Sequence, residues 1–231
     1  LGNQPAALQG LTNLDIGVLK TCFALQSLNM SGWMLGSNAL QLLEIPTLTN
    51  LNLSYNLPKD ASKQQVLEIA VSVGKGLQQH SALKSFSFAG NNIDDDALLA
   101  FANCLEGNQV LEAVDFSHNK IGDRGAILFL EKLRVISNQT KPYAITTVNF
   151  AYNALHTLRM KEGVQEKTIE DVLKVESIKV SYEDHVKYSP IIRLNLAYNP
   201  IQTTVAQPIA RAMENSCEIL NWMHLSTEER A

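Results

Sequence analysis

The chain has 231 residues, a formal charge of −4, a pI near 5.7 and 45% hydrophobic residues. That is ordinary globular composition with length enough for one sizeable core. The mild acidity argues against the concentrated basic face that nucleic-acid binding needs, and no apolar run approaches the ~18 residues that insert into a membrane.

The elements can be read in chain order from a pattern of the form L-x-x-L-x-L-x-x-N. A weak copy at Leu11, Leu14 and Ile16 has Leu19 in place of Asn, and a second at Leu25, Leu28 and Met30 has Trp33 there. Full copies follow at Leu48, Leu51, Leu53, Asn56; Leu83, Phe86, Phe88, Asn91; Leu111, Val114, Phe116, Asn119; Ile145, Val148, Phe150, Asn153; and Ile191, Leu194, Leu196, Asn199. A degenerate copy, Ile219 and Trp222, ends at His224. The alternating apolar core of each copy predicts a short strand, and the Asn amide is suited to bond the backbone of the turn behind it. Between copies the period changes to that of helices. They are expected over 60–79, with Val66, Ile69, Ala70, Val73 and Leu77 on one face, over 94–105 with Gly107 as stop, over 123–136, and from Thr203 or Thr204 to Asn215.

The leading apolar residues fall at 11, 25, 48, 83, 111, 145, 191 and 219, so the steps are 14, 23, 35, 28, 34, 46 and 28. The 46-residue step contains a charged segment, 157–189. It reads as an amphipathic helix over 164–175 followed by alternating Ile178, Val180 and Tyr182, as a hairpin or an eroded repeat. The whole of 1–231 reads as a single domain of about seven to eight repeats. It starts at Leu1-Gly2 and closes on Ser226 and Glu229, a capping-box spacing, which reads as a piece of a longer protein.

The run Asn119-Lys120-Ile121-Gly122-Asp123-Arg124-Gly125-Ala126, at 28-residue strand spacing and followed by a helix, resembles the ribonuclease-inhibitor-like leucine-rich repeats. The resemblance covers roughly residues 25–225. It implies an α/β leucine-rich-repeat solenoid, curved, with parallel strands on the concave face and helices on the convex face. The irregular repeat lengths and LNLSYN-type strands are also similar to effectors that intracellular bacterial pathogens deliver into host cells.

Position within the repeat sorts the candidate partner surface. Four residues after the leading apolar residue stand Asp15, Asn29, Asn52, Ser87, Asp115, Asn149 and Asn195. Six after it stand Gly17, Ser31, Ser54, Ala89, Ser117, Ala151 and Ala197. Both columns read as repeat consensus forming a shallow, solvated floor. Seven after it stand Val18, Gly32, Tyr55, Gly90, His118, Tyr152 and Tyr198. Amphipathic aromatics of this kind dominate binding hot spots, although they also serve to pack over neighbouring repeats. Trp33, Tyr55, Glu112, Asp115, His118, Asn149, Tyr152, Arg193, Asn195 and Tyr198 are therefore the expected partner-contacting residues. Asp94, Asp95 and Asp96 read as helix capping, with attraction of a basic partner as the alternative.

No nucleophile elbow, zincin, C-x-x-C or dinucleotide motif occurs, and the Gly74-Lys75-Gly76 stretch lacks the rest of a phosphate loop. The five histidines, His80, His118, His156, His185 and His224, are scattered over different repeats, so no metal or cofactor is expected. Cys22, Cys104 and Cys217 are far apart and odd in number, consistent with reduced thiols and a cytoplasmic setting, the host cytosol for an effector. The expected function is non-catalytic binding, and masking or inhibition, of another protein, an enzyme being one such partner, by a monomer or within a heterocomplex. The alternatives are a GTPase activator using Arg124 or Arg193, and a structural or actin-regulatory scaffold.

Overall fold

The computed structural model describes residues 13–136, 143–163, 165–174, 176–180 and 183–205. It opens on helix α1 (Asn13–Lys20), strand β1 (Ser27–Asn29) and a 3-10 segment, Gly36–Glu44. Then come β2 (Asn50–Asn52), α2 (Lys63–Gln79), β3 (Ser85–Ser87), α3 (Asp95–Cys104), β4 (Ala113–Asp115) and α4 (Asp123–Leu133). Strand β5 (Val135–Ile136) precedes β6 (Thr147–Asn149). The segment after it holds β7 (Arg159–Glu162), β8 (Gln165–Thr168), α5 (Ile169–Leu173), β9 (Glu176–Val180) and β10 (Glu183–Tyr188). Strand β11 (Arg193–Asn195) and a 3-10 turn, Thr203–Val205, follow.

Among the described residues, β1, β2, β3, β4, β6 and β11 form one parallel sheet in that order. Their middle residues are in register, Leu28 with Leu51, then Phe86, Val114, Val148 and Leu194. From β2 onward each middle residue is buried, because alternate side chains of a strand face opposite sides and this side faces the helices. Leu28, on the edge strand, is half-buried. Behind the sheet, the rings of Phe86, Phe88, Phe101, Phe116, Phe129 and Phe150 are fully buried. They meet edge-to-face or offset; Phe101 and Phe116, for example, cross at 83° with centroids 5.2 Å apart.

The recurring asparagines have a direct physical use. Asn119 is 9% exposed; its Oδ1 accepts the backbone N–H of Asn91 (2.9 Å) and of Ile93 (3.0 Å), both in the preceding turn. Its Nδ2 reaches the carbonyls of Phe88, Phe116 and Ser117. Asn56, Asn91, Asn153 and Asn199 bond the preceding repeat in the same way. Each buried amide therefore satisfies main-chain groups that have left the sheet but have not reached water.

Helix starts follow the local chemistry. Ser62 and Gln65 form a capping box on α2, and Asp94 accepts the Ala97 N–H at the start of α3. Gly122, at the start of α4, has no side-chain cap; its own N–H is taken by Asp95 of the preceding repeat at 2.6 Å. His80 does asparagine-like work before β3. Its Nδ1 accepts the N–H groups of Ala82 and Leu83, as Asn108 Oδ1 accepts those of Val110 and Leu111 before β4.

Several expectations are corrected. Residues 13–20, read as a weak strand repeat, form α1, with Ile16 buried on its inner face. The helix expected over 164–175 is confined to Ile169–Leu173, because Thr168 and Asp171 cap each other reciprocally and start it there. Ahead of it Arg159–Glu162 and Gln165–Thr168 pair as an antiparallel hairpin. The helix expected over 123–136 stops at Leu133, and Val135–Ile136 is β5. Of the two readings of the alternation, the hairpin holds for Ile178 and Val180, on β9 of a β9–β10 hairpin that pairs with β5 and not with the parallel sheet, while Tyr182 lies outside the described residues. The expected helix from 203 begins as the 3-10 turn, and Cys217, Ile219, Trp222, His224 and the Ser226–Glu229 spacing lie outside the described residues.

Asn119→Ala leaves the N–H groups of Asn91 and Ile93, in the preceding repeat, without their acceptor and removes the donor to carbonyls of both repeats. Its unfolding free energy in urea should fall by about 3 kcal/mol or more, at about 1–3 kcal/mol per buried unsatisfied group. A loss below about 1 kcal/mol, the scale of a single exposed hydrogen bond, would show that the ladder is not what fastens the turns.

Candidate functional site

The first and third residues of each parallel strand face away from the helices and form the sheet face. At the third position, the Oδ1 atoms of Asn29, Asn52, Asp115, Asn149 and Asn195 accept the backbone N–H two residues on, at 2.9–3.0 Å. These side chains thus begin the turn that follows the strand. Ser87 stands at the same position in β3. Its hydroxyl donates to Asp115 Oδ2 (3.2 Å) and lies 2.8 Å from the Ser54 hydroxyl.

The column two residues further on differs from the expected solvated floor. Ser54, Ala89, Ser117, Ala151 and Ala197 are buried, at 4–6% exposure, and only side chains this small fit there.

The next column carries the main feature of the surface. Gly32, Tyr55, Gly90, His118, Tyr152 and Tyr198 all have left-handed backbone, with φ between 55° and 76°. The chain must reverse here to bring the following asparagine inward, and the reversal uses a conformation that suits glycine. Four repeats nevertheless place aromatic rings at it. His118 stacks on Tyr152 at 4.2 Å and 12°, and Tyr152 on Tyr198 at 4.2 Å and 10°. Tyr55 reaches across Gly90, where a Cβ would lie 2.2 Å from its ring, and ends 6.1 Å from His118. Tyr55, Tyr152 and Tyr198 stay 46%, 43% and 52% exposed, and His118 is exposed. The ring faces are largely used against one another, so the surface shows ring edges and hydroxyls. The Tyr152 hydroxyl is raised above its ordinary pKa, because the stack withdraws it from water and the Tyr198 hydroxyl bonds against it.

Strain and stacking nearly offset. A non-glycine residue in this conformation costs about 1–2 kcal/mol, and an aromatic pair returns about 0.5–1.5 kcal/mol. The rings are thus not explained by stability alone.

The remaining expected residues are placed as follows. Trp33 is half-buried against the core, one residue beyond Gly32, and makes no ring contact with the stack among the described residues. Glu112 is exposed and pairs with Lys84 at 3.1 Å. Asp115 and Asn149 lie side by side on β4 and β6, and Asn195 lies beside Asn149 on β11. Arg193 is exposed at the first position of β11. The acids suggested for a basic partner are occupied: Asp94 and Asp95 cap, and Asp96 pairs with Arg124 at 3.1 Å. Gly32 and Gly90, recurring in the aromatic column, were the sequence signal of its left-handed backbone.

The two-hairpin segment is fastened separately. Arg134 is 7% exposed and donates to the carbonyls of Asp171 (2.8 Å), Lys174 (2.9 Å) and Lys187 (3.3 Å). Glu131 beside it meets Lys187, Lys167 and Arg134. Burial pushes the Glu131 carboxyl up, but these three cations outweigh it and hold the group below its ordinary 4.5. Among the described residues, no cluster of His, Cys, Asp or Glu could hold a metal, and no helix is long and apolar enough to cross a membrane.

A family model described as Leucine Rich repeat matches residues 79–102 and 107–130, each one strand–turn–helix unit. With the stacked parallel strands, it makes the fold a leucine-rich-repeat α/β solenoid. The search of curated proteins finds no match to the chain. Among solved structures, the chain is similar to actin-binding site 2 of leiomodin-1, at 19% identity over 77% of this chain and 88% of that chain, with TM-score 0.47. It is also similar to a TLR13–ssRNA13 complex, at 14% identity over 59% of this chain, with TM-score 0.33; the aligned region is 20% of that chain's length.

Two measurements probe these contacts. Tyr198→Gly relieves the strain that Tyr198→Ala keeps, so the glycine variant should be the more stable of the two by about 1 kcal/mol in urea unfolding; the reverse order would mean that the left-handed turn is not a strained one. For Glu131, folding favours the ionised form, so its stabilisation is complete above pH 4.5 and is lost as pH falls through the depressed folded value. Amide exchange of Glu183–Tyr188, corrected for intrinsic rates, should accelerate relative to β3 as pH is lowered step by step below 4.5. Parallel behaviour of the two strands would remove Glu131 from the docking of the hairpin.

Proposed function

We propose that this chain is a non-catalytic protein-binding module that contacts its partner through the sheet face and the aromatic ridge bordering it. The observation that carries this reading is the run of Tyr55, His118, Tyr152 and Tyr198 in left-handed turns, half-exposed, with edges and hydroxyls outward. Rigid aromatics with polar tips supply contact area at little side-chain entropy cost, and tyrosine is enriched at binding hot spots. Stacking has already ordered these rings, so a partner does not need to immobilise them.

The sheet face beside the ridge adds Asp115, Asn149, Arg193 and Asn195, while Trp33 contributes to the core. A partner covering both would bury on the order of 1,600 Å² in total, the size of an ordinary stable interface. Such cover masks whatever lies beneath it, including the mouth of an enzyme. Of the two arginines named for the GTPase-activator reading, Arg124 sits on α4 in an exposed ion pair with Asp96, and Arg193 stands on the sheet face.

The test is affinity capture with two baits, the wild-type chain and a Tyr55→Gly, Tyr152→Gly, Tyr198→Gly variant whose fold is checked by circular dichroism. Glycine suits the backbone at all three sites, so the variant removes rings without adding strain. A protein held by the first bait and lost from the second is the expected result. Equal retention would move the contact to the hairpins or helices and sink the ridge as the site.

A further inference from the structure

The sheet face is polarised along its length. The asparagine turns fix how each amide points: at Asn149 and Asn195, Oδ1 accepts the N–H of Ala151 and Ala197, both at 3.0 Å. An acceptor used inward leaves Nδ2, a donor, facing out. Among the described residues neither Nδ2 has a hydrogen-bond partner. Arg193 shares this end. It lies two residues before Asn195 on the same face of β11, opposite Thr147 of β6, exposed and with no ion-pair partner among the described residues. Thr147, Asn149, Arg193 and Asn195 thus form a two-by-two patch on strands about 4.8 Å apart, followed in the chain by the turns that carry Tyr152 and Tyr198. One strand over, the polarity reverses. Asp115 ends a hydroxyl chain from Ser87 and offers only acceptors.

We infer that this β6–β11 patch docks a carboxylate side chain of the partner, an inference that rests on the sheet face being the binding surface. The guanidinium supplies charge and a fork of donors matched to a carboxylate, and the two amides supply neutral donors whose direction the turns have already set. Asp115 bounds the site. A carboxylate displaced by one strand meets a like charge, so the same face that accepts the acid at β11 rejects it at β4 and sets the partner's register. The partner is an acidic segment, not the basic one that the acidic residues of the sequence suggest, because Asp94–Asp96 and Glu112 are taken up by capping and by Arg124 and Lys84.

The probe is an acetylated hexapeptide amide with three glutamates, compared with the same peptide carrying glutamines, titrated into isotopically labelled full chain. The expected result is that the glutamate peptide shifts the side-chain NH2 signals of Asn149 and Asn195 and the Nε–H of Arg193, while the glutamine peptide does not. Binding should weaken with added salt, and by about tenfold in Arg193→Gln and in Asn195→Asp. Asn195→Asp keeps the turn, since Asp115 makes the same turn in β4 at 2.9 Å, but swaps the outward donor for an acceptor. Equal shifts from both peptides, shifts confined to other surfaces, no shift at all, or an unaffected Asn195→Asp overturns the inference. The capture experiment separates the two failures: a partner lost from the ridge variant while the glutamate peptide leaves the patch unperturbed keeps the ridge and removes the acid.

Discussion

A main chain that leaves a sheet inside a core must have its N–H and C=O groups satisfied before it reaches water, and here a buried asparagine does this once per turn. Everything else is arranged around that requirement. The amide of one repeat bonds the turn of the repeat before it, so the interaction is also the stacking contact. It is indifferent to what lies between. The Asn91–Asn119 link closes 28 residues and the Asn153–Asn199 link closes 46, both at 2.9 Å. Helices of 17, 10 and 11 residues, and even two hairpins, are accommodated because only the strand and its asparagine must recur.

The same turn generates the surface. To bring the asparagine inward the chain passes through a left-handed residue, whose side chain emerges at the border of the sheet face. Stacking of repeats then lines these residues up, and a ridge follows from the fold without any further instruction. Its composition is where choice enters. Glycine at 90 leaves room for Tyr55 to lean over, whereas aromatics at 118, 152 and 198 close up face to face. A property of the backbone has become a property of the binding face.

The sequence was informative where one residue type has one role. Large apolar residues at the strand positions and asparagine behind them are legible because five full copies repeat them, and Ser62 and Asp94 announce their helices by their own chemistry. It was uninformative where a pattern serves two structures. Leu14 and Ile16 alternate as in a strand yet lie on α1, since two apolar positions do not distinguish the periods. The charged run after residue 157 has helix-forming composition, but cross-strand pairing of Arg159 with Thr168 and the late cap at Thr168 override propensity. At the candidate site, the column of aromatics was visible, while its left-handed backbone was marked only by Gly32 and Gly90. Trp33, one residue past Gly32 of the column, was expected to join the contact as an aromatic, and it packs against the core. The direction of the Asn149 and Asn195 amides needed the turn geometry and is not a property of residue type.

Arg134 binds the two-hairpin segment through main-chain carbonyls, those of Asp171, Lys174 and Lys187. A clamp that reads backbone oxygens is blind to the side chains above them. Apart from Lys167 and Lys187, which meet Glu131, the outward residues of that segment are therefore released from the duty of holding it in place, and substitution there is free to explore new surface chemistry while the path of the chain stays put. In a solenoid whose sheet face is constrained turn by turn, this is the region where sequence can drift furthest at the least structural risk.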